Sequence, residues 1–289
     1  MSAKGPIFIL SIDGGGSRGV IPANILYHLE HDAAIAVRKS FDFFTGVSTG
    51  AMIAAYLARN AGSVERLATE SYSAENLSRI MDKTVWDKML GRMQNQPKYD
   101  GVNKRAYAAD LLNDSRINDI EDKHLLILAY DFINRELVTF KNQRGHDAAY
   151  NPTLTEVCDA ATAAPTMYPT VATSSLNRRW LIDGALTTND PAICAITESL
   201  AMGYGLEDIW MLSLGTGQPV HDLSQEDRDE IGSASQGWGI VGWLSHGLLD
   251  HMMSASSCVS VHQCQQLLDD RYLRINGELP RKLIQLDNT

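Results

Sequence analysis

Apolar residues along this chain gather into two kinds of segment. Ile7 to Ile12 is a short, nearly continuous apolar run bounded by Gly-Pro and Asp-Gly, and Ile209 to Leu214 repeats the pattern before Gly-Thr-Gly. Runs of that length and continuity suit strands buried on both faces of a parallel sheet. Helical spacing takes over elsewhere. Ile25, Leu26, Leu29, Ala33 and Ala36 mark a helix over Pro22 to Arg38, and small or mixed apolar residues predict helices at Ala51 to Asn60, Thr155 to Ala164 and Pro191 to Met202. Phe41 to Phe44 and Trp180 to Ile182 add short strands, and Leu125 to Tyr130 pairs with Leu137 to Phe140 as a hairpin. Across residues 61–123 the positions Leu67, Leu77, Ile80, Val85, Met89, Leu111 and Leu112 fall at helix-compatible intervals. Residues 218–237 are acidic and polar and predict a surface loop, followed by helical stretches around Ile240 to Leu249 and Val259 to Leu268.

Strands alternating with helices predict an α/β fold with both faces of the sheet covered. No repeat, low-complexity tract or composition break interrupts residues 1–289, so one domain is expected. At 289 residues with 44% hydrophobic content a sizeable core is available. The net charge of −10, with no basic cluster beyond Arg38-Lys39 and Arg178-Arg179, argues against a nucleic-acid partner and against purely electrostatic attachment to anionic membranes. Any lipid contact would be hydrophobic. No window approaches the roughly 18 apolar residues of a membrane span, and the N-terminus turns polar too early for a signal peptide, so a soluble, cytoplasmic chain is expected, at most peripheral to membranes. Four cysteines without CxxC spacing are expected to be buried free thiols.

The chemistry concentrates in three places. After the first strand, Gly14, Gly16 and Gly19 satisfy G-x-G-x-x-G before a helix, the context of a dinucleotide fingerprint. That reading wants an acid at the end of the second strand, but Asp42 sits at its beginning, and no Lys-Ser or Lys-Thr follows to make a phosphate-binding P-loop. The second strand runs into Gly46-Val47-Ser48-Thr49-Gly50, a G-x-S-x-G between strand and helix. Chance supplies that pentapeptide in roughly one chain in ten of this length, so its placement carries the weight: flanking glycines permit a sharp turn presenting Ser48 at the strand's carboxyl end. In the alternative, Ser48 merely caps the next helix. The backbone of Gly15 and Gly16 could converge on Ser48 as an oxyanion hole, each fixed amide worth ~3 kcal/mol in the transition state. Arg18 would either contact a substrate anion or anchor the loop by a salt bridge. Of eight histidines none has a convincing setting, although His221 and His246 follow in the hydrolase order. Asp183, at a strand end before Gly184-Ala185, is the sharper candidate for a base, though Asp-Gly-Ala is also a common turn.

Together Asp13-Gly14-Gly15-Gly16-Ser17-Arg18-Gly19, Gly46-Val47-Ser48-Thr49-Gly50 and Asp183-Gly184-Ala185 resemble the patatin-like phospholipase family. The first motif alone arises by chance in roughly one chain in tens of thousands. Similarities at residues 160–170, 181–192, 212–217 and 272–275 extend the match from residue 7 to about 275. The resemblance implies a three-layer α/β/α fold with a mainly parallel central sheet, and calcium-independent hydrolysis of lipid acyl esters by a Ser-Asp dyad, without metal or cofactor. Ser48 would be the nucleophile, Asp183 the base and the Gly14, Gly15 and Gly16 backbone the oxyanion hole. Ala185 and Asp190 depart from the glycine and asparagine common in the family. The cluster Trp238, Ile240, Val241, Trp243, Leu244, Leu248 and Leu249 is expected to pack into the core, with docking on a lipid interface as the alternative.

Overall fold

A computed structural model describes residues 4–81, 97–113, 115–142, 151–173, 178–220, 223–280 and 283. Val85, Met89, His146, His221 and the side chain of Leu249 lie outside the described residues. The chain begins with β1 (Ile7–Ile12), passes through α1 (Val20–His31) to β2 (Phe43–Val47), and continues by α2 (Thr49–Arg59) and α3 (Val102–Leu112) to β3 (His124–Asp131). β4 (Glu136–Lys141) folds back on β3, and α4 (Leu154–Ala161) leads to the short β5 (Val171–Ala172) and β6 (Trp180–Asp183). Next come α5 (Ala192–Ala201), β7 (Ile209–Leu214) and β8 (Gln218–Pro219). The helices α6 (Gln225–Ser235), α7 (Ile240–Ser245) and α8 (Leu248–Leu268) precede β9 (Tyr272–Ile275) and β10 (Glu278–Leu279).

Eight of these strands form one sheet in the order β5-β6-β3-β2-β1-β7-β9, with β4 also on β3, while β8 and β10 pair separately. The run β3-β2-β1-β7-β9 is parallel throughout, and β4, β5 and β6 add an antiparallel wing. Alternation along each strand divides the core. Leu10, Ile12, Phe44 and Ile127 face the layer built from α1 to α4, whereas Ile9, Phe43, Leu126 and Leu128 face α5 and α8. Burying each such side chain contributes ~1.5–3 kcal/mol. Helices therefore cover both faces, giving the expected three layers.

The wing creates an unusual junction. β4 takes one edge of β3 from Leu126 to Asp131, so the opposite edge must be shared. β2 occupies it up to Val47, opposite Leu128, and β6 arrives from the other direction to place Asp183 opposite Ala129. Two strands thus meet end to end in one slot, and the residues at the join are Val47-Ser48 and Asp183.

Several local expectations are revised. The first helix stops at His31 rather than Arg38, where Asp32 takes both His28 and His31 at 2.7 and 2.8 Å and Ala34 adopts φ 55°. Residues 225–235 of the expected loop are helical because Ser224 and Asp227 form a capping box; with no buried residue in α6, no hydrophobic period betrays it. All four cysteines are free, but burial holds only for Cys158 and Cys264, and Cys258 is exposed on α8. Core packing of the 238–249 cluster is overturned at its centre, since Ile240 and Val241 are each 80% exposed.

At the far edge of the parallel run, Arg274 of β9 donates to both carboxylate oxygens of Asp13, at 2.8 and 2.5 Å, and to Ser213 Oγ at 2.7 Å. Its Nη1 also lies 3.6 Å from Asp190. Burial, then the Asp190 charge, push the Asp13 carboxyl upward against the pull of this guanidinium. Arg274→Met should leave two buried acids without their cation and cost roughly 3 kcal/mol or more in denaturant-unfolding stability. Adding Asp13→Asn should return part of that loss.

Candidate active site

Ser48 sits between the end of β2 and α2 with φ 53° and ψ −125°, a conformation that costs a non-glycine residue of order 1–3 kcal/mol. The turn closes because Gly46 and Gly50 lie where any side chain would strike backbone: a Cβ on Gly46 would meet the Gly50 carbonyl, and one on Gly50 the Ile12 carbonyl. Although Ser48 occupies the cap position of α2, its side chain makes no capping hydrogen bond, which removes the simple helix-cap alternative. Instead it stands on the same cavity wall as Asp183 and close enough to favour that carboxyl's ionised form.

Asp183 is 2% exposed. Its amide donates to the Ala163 carbonyl at 3.0 Å, and its Oδ1 accepts the Ala185 amide at 2.8 Å, so the residue is held at its backbone and at one carboxylate oxygen. Burial pushes its pKa up to about 6, while the Ser48 hydroxyl, the Ala185 amide and the charge of Lys104 pull the other way. That places an acid of ordinarily weak basicity close to the range where a general base works.

Lys104, on α3, was not signalled by any motif. Its buried Nζ lies 2.8 Å from Asp159 Oδ1 and donates to the Asp159 carbonyl and to Thr162 Oγ1, at 2.5 and 3.1 Å. Desolvation lowers its pKa and Asp159 opposes the shift. The ammonium therefore ties down the end of α4, immediately before the Ala163 carbonyl that holds Asp183.

The first glycine loop divides its labour. Gly14 donates its amide to the Asn189 carbonyl at 3.0 Å and accepts the Thr216 hydroxyl at 2.6 Å. Its inclusion among the oxyanion donors is therefore corrected: that N–H is already engaged. Gly16 has φ 59°, and among the described residues no protein acceptor takes the amides of Gly15 or Gly16. Arg18 is half-buried and does not line the cavity beside Ser48; its Nε donates to the Gly15 carbonyl at 3.3 Å. It braces the loop from within, and the carboxylates of Asp250 and Asp13 act on its charge.

Ser48, Asp183, Gly15 and Gly16 share the wall of a cavity of about 440 Å³. Met52, Leu77, Ile80 and Tyr107 make one part of it apolar, and Leu186, Leu244, Leu248 and Met253 another. Among the described residues no histidine lines it. His246 stacks on Trp238 with ring centroids 3.8 Å apart. Asp42 bonds the Phe8 amide at the opposite end of β1, away from the glycine loop, so the dinucleotide fingerprint lacks its ribose partner.

Comparison with known proteins finds patatin-like relatives. Patatin-like protein 2 of Oryza sativa subsp. indica is 30% identical, the alignment covering 93% of this chain and 76% of the relative. Patatin-like protein 1 of Arabidopsis thaliana is 26% identical over 94% and 74% of the two chains. VipD from Legionella pneumophila aligns in structure with a TM-score of 0.46 at 13% identity, over 96% of this chain and 62% of VipD. The model of the patatin-like phospholipase family matches residues 10–196, which contain both glycine motifs and Asp183, and the chain belongs to that family.

Proposed function

We propose that this chain hydrolyses acyl ester bonds of lipids through a serine-bound acyl intermediate. The observation that carries the reading is the Ser48 hydroxyl, held in a strained turn, free of the helix it precedes and set beside buried Asp183 on the wall of an apolar cavity. In the reaction Asp183 takes the hydroxyl proton as Oγ attacks the ester carbonyl, and the amides of Gly15 and Gly16 receive the oxygen that becomes negative. Collapse expels the alcohol, which takes its proton from Asp183. Water, deprotonated by the same carboxylate, then releases the fatty acid and restores Ser48. Desolvation of Asp183 and the fixed Ala185 contact support its role as base without a histidine intermediary.

The apolar lining favours acyl chains over polar substrates. A broad carboxylesterase would use the same dyad on small esters, and comparing turnover of phospholipid vesicles with that of monomeric short-chain esters separates the two. An inert binding protein is excluded if a fluorophosphonate labels Ser48. Ser48→Ala should abolish labelling and lower kcat by about 10⁴-fold or more, and Asp183→Asn by about 10³–10⁴-fold, with the fold intact by circular dichroism. Retained turnover in Asp183→Asn would sink the dyad.

Because Asp183 acts only as the carboxylate, kcat/KM should climb roughly tenfold per pH unit below the midpoint and level off above about 6. Lys104→Met removes a charge that favours this carboxylate, so the midpoint should move to higher pH. A uniform loss of activity with an unmoved profile would mean that Lys104 acts on structure alone.

A further inference from the structure

The helix α7 projects an apolar face that, among the described residues, no other element covers. Ile240 and Val241 are each 80% exposed, and Leu244 and Trp243 are 57% and 39% exposed. On the next helix Met252 is 49% exposed. Trp238 packs edge-on against Trp243 with ring centroids 5.3 Å apart, placing two amphipathic rings beside the patch. This surface runs into the reaction chamber, since Leu244 belongs both to it and to the lining of the cavity that holds Ser48, where Leu248 joins it. Gly247, at φ 78°, joins the two helices at that point.

The charge carried by the segment that bears α6, α7 and α8 selects among occupants. From Leu181 to Asp270 the sequence contains one lysine or arginine, Arg228, and α6 carries Glu226, Asp227, Asp229 and Glu230 alongside it. An anionic membrane would be repelled here, and a nucleic acid more so. A second copy of the chain seated on Leu244 would close the chamber against its own substrate. We infer that α7 is a docking element for an uncharged or zwitterionic lipid–water interface, set at the chamber's entrance so that a lipid passes from the surface toward Ser48 without crossing water. Insertion removes Ile240 and Val241 from water, the contribution available to such helices when electrostatic attraction is absent. The inference rests on the lipid acyl hydrolase reading, and its test lets the two fail separately.

Binding is measured by flotation of Ser48→Ala protein with phosphatidylcholine vesicles, with and without Ile240→Glu and Val241→Glu in the same chain. Substitutions at positions this exposed leave the fold in place. The expected result is roughly tenfold or greater weakening of vesicle binding, while the double variant with Ser48 intact hydrolyses a monomeric short-chain ester at the unaltered rate. Equal binding by the double variant overturns the inference. So does a requirement for phosphatidylserine, or a wild-type dimer in sedimentation that the two substitutions dissociate. If neither form hydrolyses any ester yet vesicle binding still depends on Ile240 and Val241, the docking element stands and the enzymatic reading falls.

Discussion

A β-strand has two edges, and β3 must serve three neighbours. Because β4 takes one edge along Leu126 to Asp131, β2 and β6 divide the other, meeting head to head between Leu128 and Ala129. The geometry of the candidate site descends from that division. β2 cannot continue past Val47 without running into β6, so the chain turns sharply at Ser48 and enters α2. β6 likewise ends at Asp183 and gives way to a tight turn. Hydroxyl and carboxylate come together because two strands stop at one place in the sheet, although 134 positions separate them in sequence.

Such a junction exposes polar groups to a low-dielectric interior, and the surrounding residues show how that is tolerated. Asp183 keeps the Ala185 amide as a hydrogen-bond partner, with the Ser48 hydroxyl beside it and a cation nearby that is itself neutralised by Asp159. On the other side of β1, Asp13 and Asp190 share Arg274. The two arrangements differ in consequence. Arg274 holds Asp13 in a bidentate pair, whereas Lys104 influences Asp183 only through its charge.

What the amino-acid sequence reveals follows from how local each interaction is. The elbow around Ser48 is written in its own glycines, since Gly46 and Gly50 are needed for contacts within one turn of strand and helix. Asp183 is marked by the Gly-Ala that follows it, but its direction of approach depends on the antiparallel pairing of β6 with β3, a long-range register without a local motif. Arg274 lies in the short YLRI segment, which reads as a family similarity and only in three dimensions becomes a strand that reaches Asp13. Lys104 belongs to a weakly patterned helix and acquires meaning only from Asp159 and Thr162, more than fifty residues away. Ile240 and Val241 mislead for the opposite reason: hydrophobicity predicts burial, whereas the structure leaves them facing outward.

The engagement of Gly14 on both its amide and its carbonyl has an effect on the energetics of any reaction at this loop. Asn189, from the segment that follows the acid, and Thr216, from the end of β7, clamp the backbone one residue before the amides that face the chamber. In the proposed reaction those dipoles would be oriented before an ester arrives, the work of aligning them being done once, during folding, rather than at every turnover. On that reading a chain without the Thr216 hydroxyl would retain every reacting group and still confront the developing charge with a softer, slower-responding field.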